Sequence, residues 1–223
     1  MDIEEILHRN RDENSFTSRL FESYIIPHLK ENNENAKRFI ISLKKGFKRC
    51  KDILDKKGEN CAETINIPED FEYIDSMLFV EAIDLFSALG KCAEDKTEFD
   101  AMVVYRKETE RFVLTFEVKC FQSLDEEELL RQKKRLEELT KIYEQENKKV
   151  SFIHIILISE HLLNSKTNFF RLTKRNNNLK IALITWRDIK AYIPQNRICD
   201  KDLSNYKTIS KSNGLGKNIW KLT

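Results

Sequence analysis

A long, densely charged stretch set between β-rich blocks is the feature that most narrows what this chain can fold into. Residues 124–147 carry leucines at 129, 130, 136 and 139 amid charge, the pattern of a long amphipathic helix with a solvated outer face. Before it, residues 99–105 and 112–121 are rich in β-branched and aromatic side chains and flank a polar run at 106–111, which predicts a β-hairpin. After it, residues 150–159 and 179–185 are apolar runs short enough to be buried strands, the second leading into a helix over 186–193. The predicted order is α-β-β-α-β-(α)-β-α. That order describes a mixed sheet flanked by helices, an α/β arrangement of the α+β mixed-sheet kind.

The first third reads as helix. Phe16, Leu20, Phe21, Tyr24 and Ile25 recur at helical spacing after Asn14 or Ser15 as caps, and Pro27 is expected to end or bend this segment. In a second helix Ala36, Phe39, Ile40, Leu43, Phe47, Cys50 and Leu54 fall on one stripe. Nine basic residues between Lys37 and Lys57, against Asp52 and Asp55, make the rest of this helix strongly basic. Residues 57–68 read as a loop and mark the expected boundary between this helical region (1–67) and the core (68–194), with a lysine-rich tail at 195–223. Within the core, Asp75 or Ser76 is expected to cap an apolar helix running through Leu78, Phe79, Ala82, Ile83, Leu85, Phe86 and Leu89 to Gly90.

At 223 residues the chain is long enough for one full hydrophobic core or one core plus a small helical subdomain. With 40% hydrophobic and 34% charged residues it is neither collagen-like nor largely disordered. Its longest apolar stretch, 152–158, is broken by His154 and falls far short of the roughly 20 residues a membrane span needs. The polar, acidic N-terminus has no apolar core of a secretion signal, so an intracellular, cytoplasmic location is expected. Five scattered cysteines without a CxxC pair suggest reduced thiols rather than a zinc knuckle or disulfide framework. A net charge of +2 does not announce a nucleic-acid partner, so any such surface must be local.

The chemistry is concentrated in the predicted hairpin. Alternation along a strand puts Glu117 and Lys119 on one face, roughly 7 Å apart, with Val118 turned to the other. A turn near residues 107–110 would set Asp100 across from the Glu117 end. Two carboxylates and an amine then converge. Mg²⁺ or Mn²⁺ takes such oxygen ligands together with water and substrate phosphate, and phosphodiester hydrolysis uses such a cation to neutralise developing charge and acidify its bound water. A nearby lysine can orient that water.

Glu98-Phe99-Asp100, a hairpin, then Phe116-Glu117-Val118-Lys119 resembles the PD-(D/E)XK (restriction-endonuclease-like) nuclease superfamily, over about half the chain. The family core is a helix, a three-stranded meander, a helix and a further strand (αβββαβ). Two other Glu-x-Lys triplets occur, at 94–96 and 146–148, but only the copy at Glu117 lies in an apolar strand. The resemblance implies that Asp100, Glu117 and the main-chain carbonyl of Val118 bind Mg²⁺ or Mn²⁺ and that Lys119 positions the attacking water. It further implies an acid from the preceding helix, a role Glu81 matches better than Glu22, Glu4 or Glu5, and an auxiliary glutamine on the following helix, matched by Gln132. Phe99 stands where the family's proline would be, and Leu136 where the RecB-like group has tyrosine, so subfamily and substrate stay open.

Plainer readings stand beside these. Glu117 and Lys119 could form an ion pair on a solvated sheet face, worth about 0–1 kcal/mol. Asp100 could simply start a strand, and Glu81 could snorkel to its helix edge or pair with a lysine. The basic helix, with Lys44, Lys45, Lys48 and Arg49, is either a solvated face or a contact for the DNA or RNA backbone. The four histidines have no ligand spacing and are assigned ordinary surface or core roles, and Trp186 is assigned to helix packing. A catalytically inactive nuclease-like fold that binds nucleic acid or protein is the main alternative, followed by a helical interaction protein with an incidental hairpin. A homodimer is expected if both strands of a duplex are cut.

Overall fold

The computed structural model describes residues 25–59, 62–78, 99–119, 126–158, 163 and 181–189. Helix α1 (Ile26–Glu31) has Pro27 in its first turn. Pro27 stands at the start of this helix, where a first-turn residue needs no amide hydrogen for the helical ladder, and the segment expected to end or bend there lies before the described residues. Helix α2 (Asn33–Lys56) starts at Asn32, whose backbone is extended and whose side-chain oxygen accepts the Asn35 amide at 2.8 Å. It ends where Gly58 turns left-handed at φ 74, which lets Gly58 N–H reach Asp55 O and Glu59 N–H reach Leu54 O. Its buried residues are Ala36, Phe39, Ile40, Leu43, Gly46, Phe47, Cys50 and Leu54, the stripe that the periodicity predicts with Gly46 added.

Six strands form one mixed sheet: β1 (Ala62–Glu63), β2 (Glu72–Leu78), β3 (Ala101–Lys107), β4 (Glu110–Lys119), β5 (Val150–Ile158) and β6 (Ile181–Thr185). Their spatial order is β1-β6-β5-β4-β3-β2. Pairing is antiparallel from β2 through β3 to β4 and parallel from β4 through β5 and β6 to β1, which precedes β2 in the chain. The change of direction is imposed by helix α3 (Glu126–Gln145), which carries the chain from β4 to the start of β5 as parallel pairing requires. The short helix α4 (Trp186–Ile189) follows β6 directly.

Asp75 and Ser76 do not cap a helix. They lie in β2, paired with Val104 and Val103, past an irregularity in the ladder that leaves Ile74 42% exposed. The reason is non-local: β3 supplies a complete row of backbone partners, which a helix starting at residue 76 would forfeit. The remainder of the expected helix, including Glu81, lies outside the described residues. Helices α1 and α2 pack on one face of the sheet, and their core cluster joins Leu29, Phe39, Leu43 and Phe47 to Ala101, Val103, Leu114, Phe116, Ile155 and Ile184. One core thus runs across the expected boundary at residue 67.

Alternation sorts β4 between the two layers. Phe112, Leu114 and Phe116 join the cluster with α2, while Val113 packs in a cluster with Leu136, Leu139 and Tyr143 of α3. Hence α2 and α3 cover opposite faces of the sheet. No helix among the described residues is long and apolar enough to cross a membrane.

Candidate active site

The hairpin register decides which side chains meet. Pairing begins at Lys107 with Glu110 across a two-residue loop in which Glu108 adopts φ 53, and continues to Ala101 with Phe116. Beyond Ala101 the Asp100 amide bonds Phe116 O at 2.8 Å, out of step with a ladder whose last pair is Ala101 with Phe116. There the ladder between these strands stops. The Asp100 carboxylate takes over, accepting the Val118 amide at 2.5 Å. Within a strand, a residue's N–H and C=O point to the same side, so the Val118 carbonyl also faces the edge where Asp100 sits.

Glu117 belongs to the α3 face and is only 3% exposed. A carboxylate there must be compensated. Gln132, fully buried on α3, donates its Nε2 to Glu117 Oε2 at 2.6 Å. Gln132 turns its amide nitrogen toward Glu117 and its carbonyl the other way. That carbonyl lies 3.0 Å from His154 Nε2 on β5, and His154 Nδ1 lies 3.1 Å from the buried Thr115 hydroxyl, which also reaches Ile153 O at 3.5 Å. Two donors therefore run in one direction, His154 to Gln132 and Gln132 to Glu117. This order requires a proton on His154 Nε2. Burial, helped by the positive charge of Lys133, holds the His154 pKa down to about 3, so the neutral form prevails. The Phe99 ring meets the imidazole edge-on at 5.4 Å between centroids.

A cleft of about 500 Å³ lies beside this network, between α3, strands β5 and β6, and residues 63–66. His154 and Lys133 line it together with Leu129, Phe152 and Ile156. Burial lowers the Lys133 pKa, while Glu63 and Glu137 act in the opposite direction.

Other expected site residues are placed less simply. Lys119 is the last residue of β4, paired with Ile158, and its side chain lies outside the described residues, as do Glu81 and the Trp186 side chain. Of the basic set on α2, Lys45 and Lys48 are exposed, and Lys44 pairs with Glu69 at 2.7 Å. Arg49 is a structural tie: it grips Asp188 through Nε at 2.7 Å and Nη2 at 2.9 Å and reaches Thr185 Oγ1 at 2.6 Å. Asp188 also accepts the Thr185 amide at 2.8 Å, and the Cys50 thiol lies 3.8 Å from its Oδ2. A hydroxyl followed three residues later by an acid at a helix start, Thr185 and Asp188, is the sequence signal that marks this cap. The basic helix and Glu117 thus sit on opposite faces of one sheet.

His154 is the participant that sequence reasoning passed over. Its signal was its position, a polar residue on alternation with Phe152, Ile156 and Ile158 in a strand otherwise apolar over 152–158. As for a metal, no group of three or more His, Cys, Asp or Glu residues able to hold one occurs among the described residues. Asp100 and Glu117 do lie at the same end of the hairpin, however. Mg²⁺ and Mn²⁺ are commonly held by one or two carboxylates with water and substrate oxygens, so this donor set suits a hard divalent cation and not a soft one. Neither family models nor curated proteins nor solved structures yield a match to this chain.

Proposed function

We propose that this chain is a divalent-metal-dependent nuclease of the PD-(D/E)XK type, hydrolysing phosphodiester bonds of DNA or RNA. The observation that carries the reading is the Asp100 carboxylate on the Val118 amide, which fastens Asp100 at the Glu117 end of β4. The order α2, β2-β3-β4, α3 and β5, with the short β1 between α2 and β2, is compatible with the αβββαβ core of that superfamily. In this reading Asp100, Glu117 and the Val118 carbonyl hold Mg²⁺ or Mn²⁺. A bound cation would neutralise charge on the phosphate and acidify a coordinated water. Asp100 does two jobs at once, since its bond to Val118 also pins the end of β4. Gln132 orients Glu117 by donating a hydrogen bond to it in a dry setting. Lys119 is assigned the positioning of the attacking water.

The deep burial of Glu117 and its bond to Gln132 favour a second reading, in which the polar chain is a structural network inside a nucleic-acid- or protein-binding module. Incubation with single- and double-stranded DNA and RNA, in Mg²⁺, Mn²⁺ or EDTA, separates the two. The enzyme reading expects cleavage that EDTA stops and that Asp100→Ala or Glu117→Ala lowers by about 100-fold or more. Cleavage that survives EDTA, or wild-type rates in a folded Glu117→Ala protein, would end it.

A further inference from the structure

From the chain of donors in the α3 layer we infer that His154 is a positioning residue for Glu117, acting through Gln132. The inference rests on the functional reading above for its consequence, though not for its geometry. An amide side chain has two orientations of nearly equal shape. At Gln132 only one of them gives Glu117 a donor; the other would turn a carbonyl oxygen onto a buried carboxylate. His154 selects the productive one, because its Nε2, 3.0 Å away, can donate only to the Gln132 oxygen, while Thr115 Oγ1 lies 3.1 Å from Nδ1 on the other side of the ring. All four side chains come from the same face of adjoining elements: Thr115 and Glu117 from β4, His154 from β5, Gln132 from α3.

Position on the sheet makes this more than local satisfaction of polar groups. Thr115 pairs with His154 in the β4–β5 register, so the imidazole lies one alternation behind Glu117 on the neighbouring strand, and its nitrogens are taken up by Thr115 and Gln132. Gln132 bridges the gap from above. A histidine with no contact to the reacting atoms would then set the direction of the donor at the metal-binding acid. Groups that orient a ligand in this way commonly matter by about 10- to 100-fold in metal affinity or activity.

The experiment compares full-length wild type, His154→Leu, His154→Gln, Gln132→Leu and the double variant His154→Leu/Gln132→Leu. The readouts are Mn²⁺ affinity by calorimetry, Mn²⁺-dependent cleavage with kcat and KM resolved, and NMR of the imidazole and of the Gln132 side-chain amide. In wild type we expect a neutral imidazole protonated on Nε2 at pH 7. His154→Leu should weaken Mn²⁺ binding about tenfold and lower kcat by about 10- to 100-fold with KM little changed. His154→Gln, whose amide can replace Nε2–H, should recover most of the loss. The double variant should be no worse than Gln132→Leu alone, because both changes cut one pathway. Additive losses, no rescue by Gln, or an Nδ1–H imidazole would overturn the inference. Should wild type neither bind Mn²⁺ nor cut, the functional reading falls by itself. The NMR arm then decides the remainder: a Gln132 amide resonance unmoved by His154→Leu refutes the coupling, and a displaced one retains it.

Discussion

Lowering the pH should destabilise this protein through His154 in particular. The imidazole has its pKa held at about 3 in the folded chain, by burial first and by the Lys133 charge second, against 6.5 as its ordinary value. Below 6.5 the unfolded chain therefore binds a proton that the folded chain refuses, so stability is intact above that value and lost as pH falls toward 3. At pH 5, about 1.5 units below the unfolded value and at about 1.4 kcal/mol per unit, the loss relative to pH 7 is about 2 kcal/mol. Urea unfolding of wild type and His154→Gln at pH 7, 6 and 5 measures it, since every other titrating group is common to the two proteins. The gap between their free energies should change by about 2 kcal/mol across that range, wild type losing more. Parallel pH dependences would show that the imidazole titrates alike in both states, and the one-directional donor chain would be wrong.

Three further outcomes follow from packing and backbone geometry. Gly46→Ala should destabilise by about 1–2 kcal/mol in urea melts despite the better helix propensity of alanine, because the added Cβ would sit 2.9 Å from Asp188 Cβ and 3.0 Å from Ile184 Cγ2; a rise in stability would show that α2 and α4 can separate at no cost. Arg49→Ala should cost about 2–4 kcal/mol, since it leaves the Asp188 carboxylate, 7% exposed, without its forked partner. If Arg49 instead served mainly to bind nucleic acid, thermal melts would hardly move and binding would fall more steeply with salt in wild type than in the variant. Glu108→Gly should be neutral or raise stability by about 0.5 kcal/mol, because φ 53 suits glycine, and a clear loss in the same melts would point to a contact of the glutamate side chain.

Much of the fold is legible in the chain because period and composition are local quantities. The stripe on α2 is the buried stripe of the fold, and the hairpin and the two later strands lie within a few residues of their predicted limits. In α3 the pattern selects Leu129, Leu136 and Leu139 correctly, but Leu130 is 42% exposed, since leucines at adjacent positions cannot both face the sheet. At residues 72–78 local pattern misleads, because pairing with β3, nearly thirty residues on, outweighs helical spacing. That Asp100 lies at the Glu117 end of β4 could be anticipated from the two-residue turn, whereas the Gln132–His154–Thr115 chain could not, its members coming from three separated segments.

The amino-acid order by itself determined which segments are amphipathic, with what period, and that two acids flank one hairpin, since each follows from neighbours a few residues apart. Only the assembled sheet decided what those segments face. It set α2 and α3 on opposite sides, turned Arg49 from a surface cation into a tie to Asp188, and brought a strand histidine to the glutamine that holds Glu117. Those outcomes depend on pairing and burial between distant stretches of chain, and no local pattern encodes the partner.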